Sequence, residues 1–118
     1  MKLDGLTIAV TDMKRMVAFY NAVFACNLEP TVNIGDQQFY GGQILDMSLT
    51  FCPNGIAGVV AQQNRQQFRF RVDDIADVMA KGLANHGAEI NEINEYKGAK
   101  VGSLADPDGN TIEFVELV

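Results

Sequence analysis

The strongest constraint on how this chain can fold is a strand-and-helix pattern that it carries twice. Residues 6–11, LTIAVT, alternate Leu6, Ile8 and Val10 with Thr7, Ala9 and Thr11, which is the two-residue period of a strand. Asp12 then precedes MKRMVAFYNAVFA, where Met13, Met16, Val17, Tyr20, Val23 and Phe24 recur at helical spacing; Asp12 reads as the N-cap of a helix over about 13–25. FRFRV at 68–72 repeats the alternation, with Phe68, Phe70 and Val72 against Arg69 and Arg71. Asp73 and Asp74 cap IADVMAKGLANHG, whose Ile75, Val78, Met79 and Leu83 form an apolar stripe and whose Gly87 stands where a left-handed C-cap belongs. Aligning Asp12 with Asp74 gives an internal repeat with an offset of 62 residues, just over half of the chain.

After each helix the sequence turns to short strands. ACNLEPTVNI, QQFYGGQI and DMSLTF follow the first helix, and GAEINEINEY, AKVGSLA and NTIEFVEL the second, divided by Gly, Asp and Asn. Each half therefore reads β-α-β-β-β. One half cannot close a core of useful size, so the 118 residues, 47% hydrophobic, are expected to form a single domain. Module one covers about 1–53, a Gly-, Ala- and Asn-rich linker about 54–66, and module two about 67–118. The closing turn, Asp106-Pro107-Asp108-Gly109-Asn110, uses proline to pre-set one backbone angle and glycine to supply a positive φ, and it delivers Glu113 on the final strand.

Nine Lys and Arg against fifteen Asp and Glu leave a formal charge of -6 and a pI near 4.5. That balance repels phosphate backbones and anionic membranes, so neither nucleic acid nor membrane is expected as a partner. The first residues carry Asp4 and Gly5 where a signal peptide needs an apolar run, and no stretch nears the roughly 20 apolar residues that span a bilayer. A cytoplasmic protein is expected. Cys26 and Cys52 sit far apart in apolar surroundings and read as reduced packing thiols.

A duplicated β-α-β-β-β unit, an Asp-capped helix containing AFY, and a closing ADPDGNTIEF together resemble the vicinal oxygen chelate superfamily. That group holds glyoxalase I, extradiol dioxygenases, fosfomycin resistance proteins and bleomycin-binding proteins. The resemblance spans essentially the whole chain, and DPDGN-x-x-E is its most specific piece. It implies an α+β fold in which two tandem βαβββ modules form a cupped eight-stranded mixed sheet around one cavity, with the helices outside. It also implies a homodimer and, in many members, a divalent metal held by four side chains. Two of these stand seven residues before the helix-capping Asp of each half, and two are Glu on the last strand of each half. Carried onto this chain, the positions are Gly5, Gln67, Glu113 and, matching DMSLTF to the family pattern, Ser48.

That set departs from a metal site. Glycine offers no side chain, serine is a weak neutral ligand and glutamine a fair one, so one full anionic donor is left. No cofactor is expected; if a metal is held, Gln67 and Glu113 are its ligands. The single histidine, His86, falls near the end of the second helix and reads as a surface residue. Strand parity places Thr7 and Ala9, Gln67, Arg69 and Arg71, and Thr111, Glu113 and Val115 on the cavity face. Arg69 or Arg71 would recognise an anionic small molecule, since a guanidinium matches a carboxylate or phosphate through paired hydrogen bonds. The alternative is that Arg69 pairs internally with Glu113 and Arg71 is solvated. Phe51 reads as core, or as stacking surface for a planar ligand. The expected function is therefore small-molecule binding, resembling the metal-free or drug-sequestering members of the family, through Gln67, Arg69, Glu113, Thr7, Ser48, Arg71 and Phe51. The other reading is a glyoxalase-like lyase or isomerase that uses a divalent metal, or Glu113 as a catalytic general base.

Overall fold

Alternating apolar and polar residues build strands with one greasy face, and in this protein each greasy face is covered by the helix of its own half. The computed structural model describes residues 1–62 and 66–118; the part of the expected linker at 63–65 lies outside the described residues. Two compact units divide the chain, Met1–Val60 and Ala61–Val118.

The first unit runs β1 (Gly5–Val10), α1 (Met13–Phe24), β2 (Glu29–Ile34), β3 (Gln37–Ile44), β4 (Met47–Pro53) and a one-turn α2 (Asn54–Ala57). Its sheet has the order β1-β4-β3-β2, with β1 parallel to β4 and the other pairs antiparallel. Asp12 caps α1 as expected, its carboxylate accepting from the Arg15 N–H at 3.3 Å. Met16, Phe19 and Tyr20 are buried, each contributing roughly 2 kcal/mol by leaving water. The Tyr20 ring meets Phe51 of β4 edge-on at 5.2 Å, which fixes the face of the sheet that α1 covers.

The second unit repeats the plan: β5 (Phe68–Arg71), α3 (Ile75–Ala84), β6 (Ala88–Tyr96), β7 (Ala99–Ala105) and β8 (Thr111–Leu117), in the order β5-β8-β7-β6. β5 lies parallel to β8, and the other pairs are antiparallel. Ile112 and Phe114 of β8 are fully buried, and Phe70 stacks on Phe114 at 6.2 Å. Asp74 caps α3 through the Asp77 N–H at 3.1 Å, and Glu116 of β8 adds a second acceptor, taking the Ile75 N–H at 2.8 Å. The described residues thus carry eight strands in two four-stranded mixed sheets, as two tandem βαβββ units require.

Several boundaries differ from the sequence reading, and three of the differences have a clear local reason. β2 begins at Glu29 rather than at residue 25, because Asn21 brackets Leu28: its Oδ1 accepts from the Leu28 N–H at 2.7 Å and its Nδ2 donates to the Leu28 carbonyl at 3.3 Å. Those backbone groups are then unavailable to a sheet ladder. α3 stops at Ala84, and the left-handed residue beyond it is His86 (φ 74), not Gly87, whose N–H closes the helix end on the Gly82 carbonyl at 2.9 Å. Within the expected linker, residues 54–57 wind into α2, where Asn54 bridges to both the N–H and the carbonyl of Val59. Among the described residues, no helix is long and apolar enough to cross a membrane.

Candidate functional site

Strand register converts the repeat into chemistry. In the second unit Arg69 of β5 lies opposite Glu113 of β8, Glu113 opposite Ser103 of β7, and Ser103 opposite Asn91 of β6. One polar residue from each strand therefore forms a row across the sheet, on the face away from α3. The Arg69 Nε meets Glu113 Oε1 at 3.1 Å, with side chains 64% and 29% exposed. At the other end Asn91 Nδ2 donates to the buried Ser103 Oγ at 2.9 Å. An ion pair this open to solvent contributes about 0–1 kcal/mol, so its geometry matters more for what it presents than for stability.

The first unit has the same row in the same register: Thr7 opposite Thr50, Thr50 opposite Gly41, and Gly41 opposite Glu29. The repeat offset of 62 links Thr7 to Arg69, Gly41 to Ser103 and Glu29 to Asn91. On the last strand the offset grows by one, because four residues separate the paired Gln43 and Ser48 but five separate Ala105 and Thr111. Thr50, not Ser48, is consequently the counterpart of Glu113. Ser48 lies one step back on the same face, opposite Gly5 and Gln43.

Gly5 is more than a missing ligand. A Cβ built on it would lie 2.7 Å from the Ser48 carbonyl oxygen and 3.1 Å from Ser48 Cβ, inside any ordinary contact. The start of β1 has closed onto β4, and the place of a side chain is taken by backbone. Gln67 is exposed and immediately precedes β5. The four positions therefore offer no side chain at Gly5, a hydroxyl at Thr50, an amide at Gln67, and at Glu113 a carboxylate with one oxygen engaged by Arg69.

Arg71 shares the face of Arg69, is exposed, and makes no ion pair among the described residues. Phe51 does not belong to the site: it is 0% exposed and packed on Tyr20, so its expected stacking role is replaced by a core role. Ser103 and Asn91 are the residues that sequence reasoning missed. The 62-residue offset from Gly41 and Glu29 marks both positions, but a glycine and an exposed glutamate give no sign of a hydrogen-bonded pair. Cys26 is buried, and burial pushes its thiol from an ordinary 9.0 up to about 11, which makes it an inert neutral group.

Clefts among the described residues lie elsewhere. One of about 820 Å³ opens on the α1 side of the first sheet, beside Lys14, Val17, Tyr40 and Asn54. Another of about 420 Å³ lies at the start of α3, where Glu116 caps Ile75 and meets Lys100 at 3.6 Å. Of these two the first is larger, but the convergent charged groups stand on the face of the second sheet away from α3, and the chemistry follows the charges.

Solved structures match the fold of the chain over nearly its full length. No curated protein sequence matches the chain. Among solved structures, it is similar to a glyoxalase/bleomycin resistance protein/dioxygenase family enzyme from Burkholderia phytofirmans PsJN, at 19% identity and a TM-score of 0.77, with 100% of each chain covered. A glyoxalase-related enzyme from Fulvimarina pelagi is 17% identical with a TM-score of 0.76, covering 98% of this chain and 88% of that one. The fosfomycin resistance protein FosX from Listeria monocytogenes is 14% identical with a TM-score of 0.76, covering 100% and 94%. At these identities the likeness shows the fold alone. The sequence itself matches the model of the glyoxalase-like domain over residues 5–115, and the chain belongs to that family.

Proposed function

We propose that this protein binds a small molecule without a resident metal, on the sheet face of its second unit, through Gln67, Arg69 and Glu113, with Arg71 beside them. The structure has the internal Arg69–Glu113 pair, at 3.1 Å, and the exposed Arg71 that the sequence left as the alternative to anion recognition. The observation that carries the metal-free reading is instead the donor set, in which Gly5 has no room for a side chain and Glu113 is the one carboxylate of the four positions. A variant of Listeria FosX is complexed with Mn(II) and a dihydroxypropylphosphonic acid. A comparable ion in this chain needs three or more good donors at about 2.0–2.6 Å. The four positions implied by the family do not fit that need: a glycine whose side-chain space is filled by Ser48, a threonine, a neutral amide, and a carboxylate already turned to a guanidinium. The same residues suit direct recognition, because a guanidinium oriented by a carboxylate presents its remaining N–H groups in a fixed fork.

The test is elemental analysis of the purified protein, followed by titration with Zn, Ni, Co and Mn. The reading expects substoichiometric metal and no saturable binding that depends on Glu113. Stoichiometric metal that disappears in Glu113→Ala would overturn it. The reading also takes the protein as a homodimer, which sedimentation equilibrium measures directly.

A further inference from the structure

Resting on that metal-free reading, we infer that the second sheet face selects a singly charged carboxylic acid, with Arg71 receiving the carboxylate and Glu113 setting the charge that the face accepts. β5 is an edge strand, and its Phe68 and Phe70 turn towards Phe114, so Arg69 and Arg71 project together from the other face. Same-face neighbours along a strand stand about 7 Å apart, well within the reach of two arginine side chains converging on one anion. The two are not equivalent. Arg69 is held through Nε by Glu113, whereas Arg71, in a chain with fifteen Asp and Glu, has no carboxylate partner among the described residues. Across the sheet Arg71 is followed by the buried Val115 and then by the half-buried Val101, so the aliphatic surface left for the carbon skeleton of a ligand held there is that of Val101.

Charge balance then fixes the ligand class. Arg69, Glu113 and Arg71 together carry one net positive charge. A monoanion brings the group to neutrality, while a dianion leaves an excess negative charge beside the Glu113 carboxylate. Removing the charge at position 113 raises the net charge to two and should invert the preference.

The probes are benzoate, phenyl phosphate and neutral benzamide, titrated into the full chain at pH 8 with chelator present, followed by isothermal calorimetry and by amide shifts of the labelled protein. Benzoate should bind about 10-fold or more tighter than phenyl phosphate or benzamide, with shifts centred on β5 and β8. Arg71→Met should lower benzoate affinity about 10-fold or more, and Glu113→Gln should place phenyl phosphate above benzoate, both with an unchanged far-UV spectrum. Equal binding of benzoate and benzamide, an unaffected Arg71→Met, an unchanged order in Glu113→Gln, or no binding of any probe would each overturn the inference. Because chelator is present throughout, metal found by elemental analysis overturns the metal-free reading alone, and the charge order is judged separately.

Discussion

Gly5→Ala tests whether the first strand has lost room for a side chain, and the sign of its effect decides. Glycine inside a strand is ordinarily less stable than alanine by about 0.5–1 kcal/mol, so the substitution should stabilise if space were available. Here the new Cβ would sit 2.7 Å from the Ser48 carbonyl oxygen, against the 3.4 Å or more of an ordinary contact. The blocking atom is backbone, and it belongs to β4, which is paired on both sides. The start of β1 must therefore move by several tenths of an ångström, and overpacking of that kind costs about 1–3 kcal/mol. The expected net effect is a loss of about 1 kcal/mol, or about 3–5 °C in Tm for a chain of this size. With no tryptophan in the sequence, urea unfolding followed by far-UV circular dichroism is the suitable assay, and the midpoint should fall with the slope unchanged. A variant as stable as the parent, or more so, would refute the closed-strand argument. It would also reopen Gly5→His as a route to a metal ligand.

Asp106 is 3% exposed, and its carboxylate accepts from the Asp108 and Asn110 N–H groups at 3.0 and 2.9 Å and from Asn110 Nδ2 at 2.8 Å. Asp106→Ala should cost about 3 kcal/mol in urea unfolding, and Asp106→Asn less, since charge-assisted bonds are worth about 1.5–3 kcal/mol each before water replaces part of them. The Arg69–Glu113 pair is half open to solvent, so a double-mutant cycle with Arg69→Met and Glu113→Gln should give a coupling below about 1 kcal/mol; a larger value would mean that the pair exists for stability. Burial raises the folded pKa of Cys26 to about 11, above its unfolded 9.0, so its contribution is intact below pH 9 and lost as pH climbs through 11. Stability should fall more steeply over that range in the parent than in Cys26→Ala, and the half-buried Cys52 should be alkylated first.

How far the sequence carries is visible residue by residue. Phe68, Phe70, Ile112 and Phe114 face inward because a two-residue period with one apolar face has a single way to bury it. The caps at Asp12 and Asp74 were legible for a similar reason: a short acceptor before an apolar stripe satisfies N–H groups that nothing else reaches. What was hidden depends on contacts between segments distant in sequence. Asn21 holding Leu28 shortens β2, Glu116 caps a helix 41 residues away, and the registers of the two hairpins make Thr50 rather than Ser48 the repeat counterpart of Glu113. Phe51 could be core or pocket on its spelling alone, and only the Tyr20 ring decides.

The two halves share a register but not a chemistry, and the physics of the first strand gives a reason. Duplication supplies two equivalent rows, and nothing in strand pairing requires both to keep functional groups. In the first unit the row reads Thr7, Thr50, Gly41 and Glu29, and one rung back β1 has closed onto β4 at Gly5. Tight strand contact of this kind rewards small, neutral residues and disfavours long charged ones, whose ordering costs up to about 2 kcal/mol each in rotamer freedom. In the second unit the edge strand instead projects two arginines, and a carboxylate on its neighbour is enough to orient the first. The pair engages one of the two Glu113 oxygens, and a carboxylate has lone pairs enough for a further partner, so what tells against an ion here is the poverty of the other three positions rather than the pairing itself. Glu113 is accordingly the position where a single substitution separates the two histories: if Glu113→Gln changes which anions bind, the row is a recognition surface, and if it only releases metal, it is a chelate.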